Sequence, residues 1–179
     1  MICSSDNHNT YLGEVLHIKY PFSTSWIDYP DNESLAVVIY FTGCEHNCKD
    51  CHNPELQTPI INNIDNVIYK INQELSRQHT NKLVLSGGDC LFDINILLVK
   101  NILLGIDKSV EVCIYTGYDI ECVKDQNMSG FKYVKCGKFD YKLKQSSIKN
   151  DKYITFGSTN QKLYDQNYNL ISIDGVYYF

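Results

Sequence analysis

Apolar residues recur along this chain in two rhythms that take turns. Ala36-Val37-Val38-Ile39-Tyr40-Phe41 is a short β-branched and aromatic run closed by Thr42-Gly43, the pattern of a buried strand. From Ile61 to about Gln78 the period changes, and Ile61, Ile64, Val67, Ile68, Ile71 and Leu75 line one helical face. Lys82-Leu83-Val84-Leu85-Ser86 predicts a second strand stopped by Gly87-Gly88, and Asp93 to Leu104 a second helix with Asp93 as its cap. The alternation continues as a strand over Val110 to Tyr115, a short helix over Asp119 to Asp125 and a strand over Phe131 to Cys136. After Lys138 it weakens into a polar stretch, with a short run at Tyr153 to Phe156 and an aromatic tail, Tyr177-Tyr178-Phe179.

Strands joined through helices normally run parallel, because each connection must cross back over the sheet before the next strand begins. The expected fold is therefore α/β with a mostly parallel sheet, and in such folds chemistry collects at the carboxyl rim. Thr42-Gly43-Cys44, Gly87-Gly88-Asp89, Thr116-Gly117-Tyr118 and Gly137-Lys138 each follow one strand and should share that rim. A closed eight-unit barrel takes about 250 residues, so four or five units predict an open, partial (β/α) barrel with a lateral mouth. The 179 residues suit one domain: an N-terminal segment to residue 34, core βα units over 35–139 and a C-terminal segment over 140–179.

Composition narrows the function. No apolar run approaches the roughly 18 residues of a membrane span. The first residues have neither the basic start nor the apolar stretch of a secretory signal, so the expected location is the cytoplasm, with no membrane partner. A net charge of -5 argues against a nucleic-acid binder. Seven of the sixteen Lys and Arg residues nevertheless fall between Lys132 and Lys152, either a solvated lysine-rich loop or a docking face for an acidic partner.

Eight cysteines in a chain without a secretory signal point to metal or redox chemistry rather than to disulfides. Cys3, Cys90, Cys113, Cys122 and Cys136 are scattered, whereas Cys44, Cys48 and Cys51 crowd into one loop. Three thiolates spaced C-x3-C-x2-C can hold three irons of a 4Fe-4S cluster and leave the fourth iron open to chelate a small molecule. Short cysteine spacings also ligate zinc, and His46, His52 or Cys90 could then supply a fourth ligand. Spacing alone leaves both open.

The segment from Phe41 through Cys44, Cys48, Cys51, His52, Asn53 and Pro54 to Glu55 resembles the cluster loop of radical S-adenosylmethionine activases. Ser86-Gly87-Gly88-Asp89 resembles that superfamily's glycine-rich motif, which contacts the methionine amino group of the cofactor. Within the superfamily, three further segments resemble the activating proteins of anaerobic, glycyl-radical ribonucleotide reductases: Val112 to Tyr118 ending in Thr-Gly-Tyr, Cys136-Gly137-Lys138-Phe139, and Gly157-Ser158-Thr159-Asn160-Gln161-Lys162. Departures are Asp28-Tyr29-Pro30-Asp31 for Asp-Gly-Pro-Gly, Cys90 for proline, Cys136 for aspartate and Lys162 for arginine. The two substituted thiols face the cofactor rim or are small buried hydrophobes.

The resemblance implies a radical SAM oxidoreductase in which Cys44, Cys48 and Cys51 hold a 4Fe-4S cluster. Asp50, Cys51, His52, Gly87, Gly88, Asp89 and Thr116 would contact S-adenosyl-L-methionine, with the Asp89 carboxylate on its ammonium. Reductive cleavage would give a 5'-deoxyadenosyl radical, which takes hydrogen from a glycine of the reductase; cluster and cofactor perform the chemistry and no other residue is catalytic. The implied partners are the anaerobic ribonucleotide reductase and an electron donor such as flavodoxin. Alternatives are the activation of another glycyl-radical enzyme of the pyruvate formate-lyase type, a small-molecule reaction of the deazaguanine synthase type, or a zinc-stabilised interaction module without activity.

Overall fold

The computed structural model describes residues 17–31, 33–62 and 64–179. Four strands make its centre: β2 (Ala36–Phe41), β3 (Lys82–Gly87), β4 (Glu111–Tyr115) and β5 (Tyr133–Cys136). They pair in chain order and in parallel, with Val37 beside Leu83, Leu83 beside Val112 and Cys113 beside Tyr133. The helices α1 (Val67–Arg77), α2 (Asp93–Gly105) and α3 (Ile120–Asp125) make the intervening crossovers.

The edges differ. Strand β1 (Ile18–Ser25) runs antiparallel along β2, and β7 (Lys162–Asp165) antiparallel along β5, giving the order β1-β2-β3-β4-β5-β7. The expected mostly parallel core is present, and the sheet is open, with no closed barrel among the described residues. A separate pair, β6 (Tyr153–Thr155) with β8 (Val176–Tyr178), is antiparallel and uses the aromatic tail.

Successive side chains of a strand point to opposite faces. Val37, Ile39, Phe41, Leu83, Leu85, Val112, Ile114 and Val134 join Val67, Ile71 and Leu75 of α1 and Leu98, Val99 and Ile102 of α2 in the main core. The other face holds Val38, Val84 and Cys113 against Tyr29 and Ala36, with Tyr40, Tyr115 and Tyr133 partly buried beside them. One step further along the strands this second face opens into a cavity.

Several boundaries moved: β4 starts at Glu111 rather than Val110, α3 at Ile120 rather than Asp119 and β5 at Tyr133 rather than Phe131. Helix α1 begins at Val67 rather than Ile61, because Asn66 adopts φ 55°, a left-handed conformation that a helix cannot run through. Ile64 still buries its side chain just before the turn. Asp93 is the first helical residue of α2 rather than its cap, which is Phe92. At α3 the cap is Asp119, whose side chain accepts from the Cys122 N–H.

Candidate iron-sulfur and cofactor site

The loop carrying Cys44, Cys48 and Cys51 is closed at its base by backbone. Gly43 N–H donates to Leu56 C=O at 2.8 Å and Cys44 N–H to Gln57 C=O at 3.0 Å. The end of β3 is laced to the same base, with Gly88 N–H on Phe41 C=O and Asp89 N–H on Gly43 C=O, each at 2.9 Å. This approach is why residue 88 is glycine: a Cβ there would lie 2.5 Å from the carbonyl oxygens of both Gly43 and Leu56. Within the loop Asn47 and Asp50 take φ of 48° and 54°, turning the chain between the cysteines. Short polar side chains tolerate that conformation best after glycine.

Side-chain contacts then pin the loop to the rim. The His46 ring meets Tyr118 edge-on at 4.6 Å, His52 lies 5.0 Å from Phe139, and Lys49 Nζ sits 4.1 Å over the Tyr141 ring. Tyr118 Oη donates to the Glu45 carboxylate at 2.6 Å.

Asp89 is the hub, 2 % exposed. Its Oδ1 accepts from Leu91 N–H at 2.7 Å and from Thr116 Oγ1 at 2.8 Å. Its Oδ2 accepts from Gly117 N–H at 2.7 Å and pairs with His46 Nε2 at 2.8 Å. One carboxylate thus joins the first turn of the cysteine loop to the ends of β3 and β4. An ionised carboxylate has about four lone-pair positions, and four partners from the chain meet this one. Gly117 leaves room for the His46 ring, to which a Cβ would stand at 2.4 Å.

The four predicted rim segments do share one cavity, lined by Cys44, Gly88, Asp89, Thr116, Gly117 and Gly137. Cys48, Cys51, His52 and Gly87 line it as well. Asp50 does not: it is exposed, where the left-handed turn carries its side chain away from the lining. Cys90 and Cys136 pack in the main core on the helix side of the sheet, so of the two readings the buried-hydrophobe one describes them. The lysine-rich run is not one face. Lys132 pairs with Glu111, Lys135 enters the cavity and Lys149 reaches Trp26 C=O at 2.6 Å, leaving Lys138, Lys142, Lys144 and Lys152 exposed.

Asn95 had no sequence signal of its own, and Asn160 and Gln161 were marked only through the resemblance of their segment. Asn95, fully buried, donates to the carbonyls of Thr42 at 3.1 Å and Asp89 at 2.7 Å, stapling two rim segments. Asn160 donates to Lys138 C=O at 2.9 Å and Gln161 to Gly137 C=O at 3.0 Å. The late Ser-Thr-Asn-Gln segment therefore holds the rim turn after β5.

A family profile for a 4Fe-4S single cluster domain matches residues 33–164, nearly three quarters of the chain. The chain belongs to that family. This 4Fe-4S single cluster protein is also similar to the anaerobic ribonucleoside-triphosphate reductase-activating protein of Enterobacteria phage T4. They are 27% identical over 158 residues, 84% of this chain and 92% of the phage protein. No solved structure matches it.

The donor set fits the cluster of that family. All three loop cysteines are free and half-buried. Burial pushes the Cys44 thiol up to about 11, against a backbone N–H from His46 and with further upward contributions from Asp89, Cys48 and Cys51. Burial also raises Cys48, opposed by the Lys138 ammonium and the Phe139 N–H. Thiols at Cys44 and Cys48 that resist ionising call for a strongly cationic partner, which a coordinated metal centre provides. The site suits zinc poorly. Cys44, His46 and Asp89 lie close enough to share an ion, yet the Asp89 carboxylate and His46 Nε2 are already bonded to each other. Cys90 is in the core, and His52 packs on Phe139.

Proposed function

We propose that this protein is a radical S-adenosylmethionine activase that generates the glycyl radical on an anaerobic ribonucleoside-triphosphate reductase. The observation carrying the reading is the meeting of three free cysteines with the Gly87-Gly88-Asp89 and Thr116-Gly117 turns across one cavity, in a chain similar to a named reductase-activating protein. The open sheet corresponds on this reading to a partial barrel of the radical SAM type. When bound, cluster and cofactor supply a one-electron cleavage of the sulfonium and hydrogen abstraction from the glycine of the partner.

The chain's own residues do the rest. Cys44, Cys48 and Cys51 would hold the cluster through their three thiolates. The backbone of Gly87, Gly88 and Asp89 with Thr116 forms the shelf for the methionyl end, while the Asp89 carboxylate keeps that shelf in register with the cysteine loop through His46. The backbone of Asp50, Cys51 and His52 serves the adenine end. An electron donor such as flavodoxin delivers the electron.

The test is an anaerobic one. Reconstituted, reduced protein should cleave S-adenosylmethionine and, mixed with an anaerobic reductase, produce a glycyl-radical signal by electron paramagnetic resonance. Cleavage without any such signal would move the substrate to another glycyl-radical enzyme or a small molecule.

A further inference from the structure

We propose that Lys135 is the seat for a single carboxylate on the floor of the cavity, which rests on the reading that this cavity takes S-adenosylmethionine and a polypeptide. Strand register builds that floor. Tyr40 lies beside Ser86 across β2 and β3, and Tyr115 beside Lys135 across β4 and β5; all four line the cavity. The residues beneath, Val38, Val84 and Cys113, are fully buried, so the row is the last one that a ligand can reach.

Lys135 Nζ lies 3.9 Å from the centre of the Tyr115 ring and 5.7 Å from that of Phe156. Ring faces attract a cation but accept no conventional hydrogen bond from it. Among the described residues no carboxylate is within ion-pair distance of this ammonium, and no acceptor bonds it. Its neighbours in sequence behave otherwise: Lys132 reaches Glu111 at 2.7 Å and Lys149 reaches Asp31 at 3.8 Å. An ammonium has three N–H donors, and enclosing it without an anion is costly. Burial pulls Lys135 down to about 8, against the opposing influence of Asp28, Cys113 and Cys136.

The surroundings select the anion. Lys149 also lines the cavity, but its ammonium is engaged by the Trp26 and Tyr29 carbonyls and lies 3.8 Å from Asp31, so Lys135 is the unpaired cation among the described lining residues. There is no guanidinium fork, and Asp28, which lines the same cavity, would repel a dianion. A monocarboxylate satisfies one ammonium without excess charge, whereas a phosphate would bring more charge than the site balances. Two molecules of the proposed reaction carry one: the methionyl end of the cofactor, and an acidic side chain on the polypeptide.

Equilibrium binding to reconstituted holoprotein separates them. Lys135→Met should bind S-adenosylmethionine about tenfold or more weakly, the loss expected of a charge-assisted contact. Decarboxylated S-adenosylmethionine should bind wild type and Lys135→Met alike, and Lys135→Arg should recover part of the loss. If cofactor affinity is unchanged but reductase binding weakens tenfold, the seat stands with the polypeptide as its source. If neither ligand is affected, the proposal is overturned. Should Lys135→Met fail to fold, Lys135→Gln is read in the same way. Wild type that binds no S-adenosylmethionine at all sinks the functional reading instead. The seat is then decided by sodium acetate, which must raise the melting temperature of wild type more than that of the variant; equal shifts overturn it.

Discussion

Asp89 shows how much one side chain organises. An amide cannot replace its carboxylate, because each oxygen meets one backbone N–H, from Leu91 or from Gly117. Whichever way a substituted carboxamide were turned, its NH2 would face one of those donors and leave it unpaired. Asp89→Asn should therefore cost about 1–3 kcal/mol even in protein without iron, read as a lower melting temperature. An unchanged melting temperature with weakened cofactor binding would instead place the carboxylate on the ligand. The thiols divide just as sharply. Cys48→Ala should lose cluster and cleavage together, whereas Cys90→Ala and Cys136→Ala should keep their iron, because both side chains pack in the helix-side core. Iron and acid-labile sulfide analysis of the three variants checks this; equal loss in all three contradicts the assignment.

Helices and strands position the loop through close backbone approach, and two glycines show when such closeness matters. A Cβ at Gly88 would press on backbone oxygens at 2.5 Å, while one at Gly105 would meet only the flexible tip of Ile68 at the same distance. Gly88→Ala should displace the base of the cysteine loop and lower iron content severalfold. Gly105→Ala, at the end of α2, should leave iron content unchanged and the melting temperature within a few degrees. The central strands and the rim were legible in the sequence because apolar runs such as Val37 to Phe41 and Leu83 to Leu85 each end in a glycine-containing turn. Strand β1 was not legible. It is an edge strand containing Pro21 and a register shift between Lys19 and Ser23, so alternation is broken where it would have been read. The three cysteines were found by spacing alone, but Asn95 holds the rim through main-chain carbonyls, a role that leaves no pattern in residue types, and Asn160 and Gln161 were marked by resemblance without that role being visible. Lys135 was visible only as one of a run of lysines; strand pairing was needed to send it to the cavity rather than to the surface.

Across the whole molecule, charge is arranged at both ends of the parallel strands. At the end away from the cysteine rim, Glu111 accepts from Lys82 at 2.5 Å, Lys132 at 2.7 Å and Tyr29 at 3.0 Å. Burial would raise this carboxyl, yet the three donors outweigh it and draw it down to about 2 from an ordinary 4.5. A folded-state value below the unfolded one means a contribution that is complete above about 4.5 and lost as pH falls toward about 2. Glu111→Gln should be less stable at neutral pH, with the difference from wild type shrinking across that acid window in melting experiments. A constant difference at every pH would refute the network's role. At the other end, three thiols meet the glycine-rich rim, and the account stands or falls on what they hold. The most direct measurement is product analysis after anaerobic reconstitution and reduction, with S-adenosylmethionine added to wild type and to Cys48→Ala. The account predicts a brown wild-type protein that releases methionine and 5'-deoxyadenosine, and a variant that releases neither; a colourless wild type retaining one zinc and leaving the cofactor intact would contradict it.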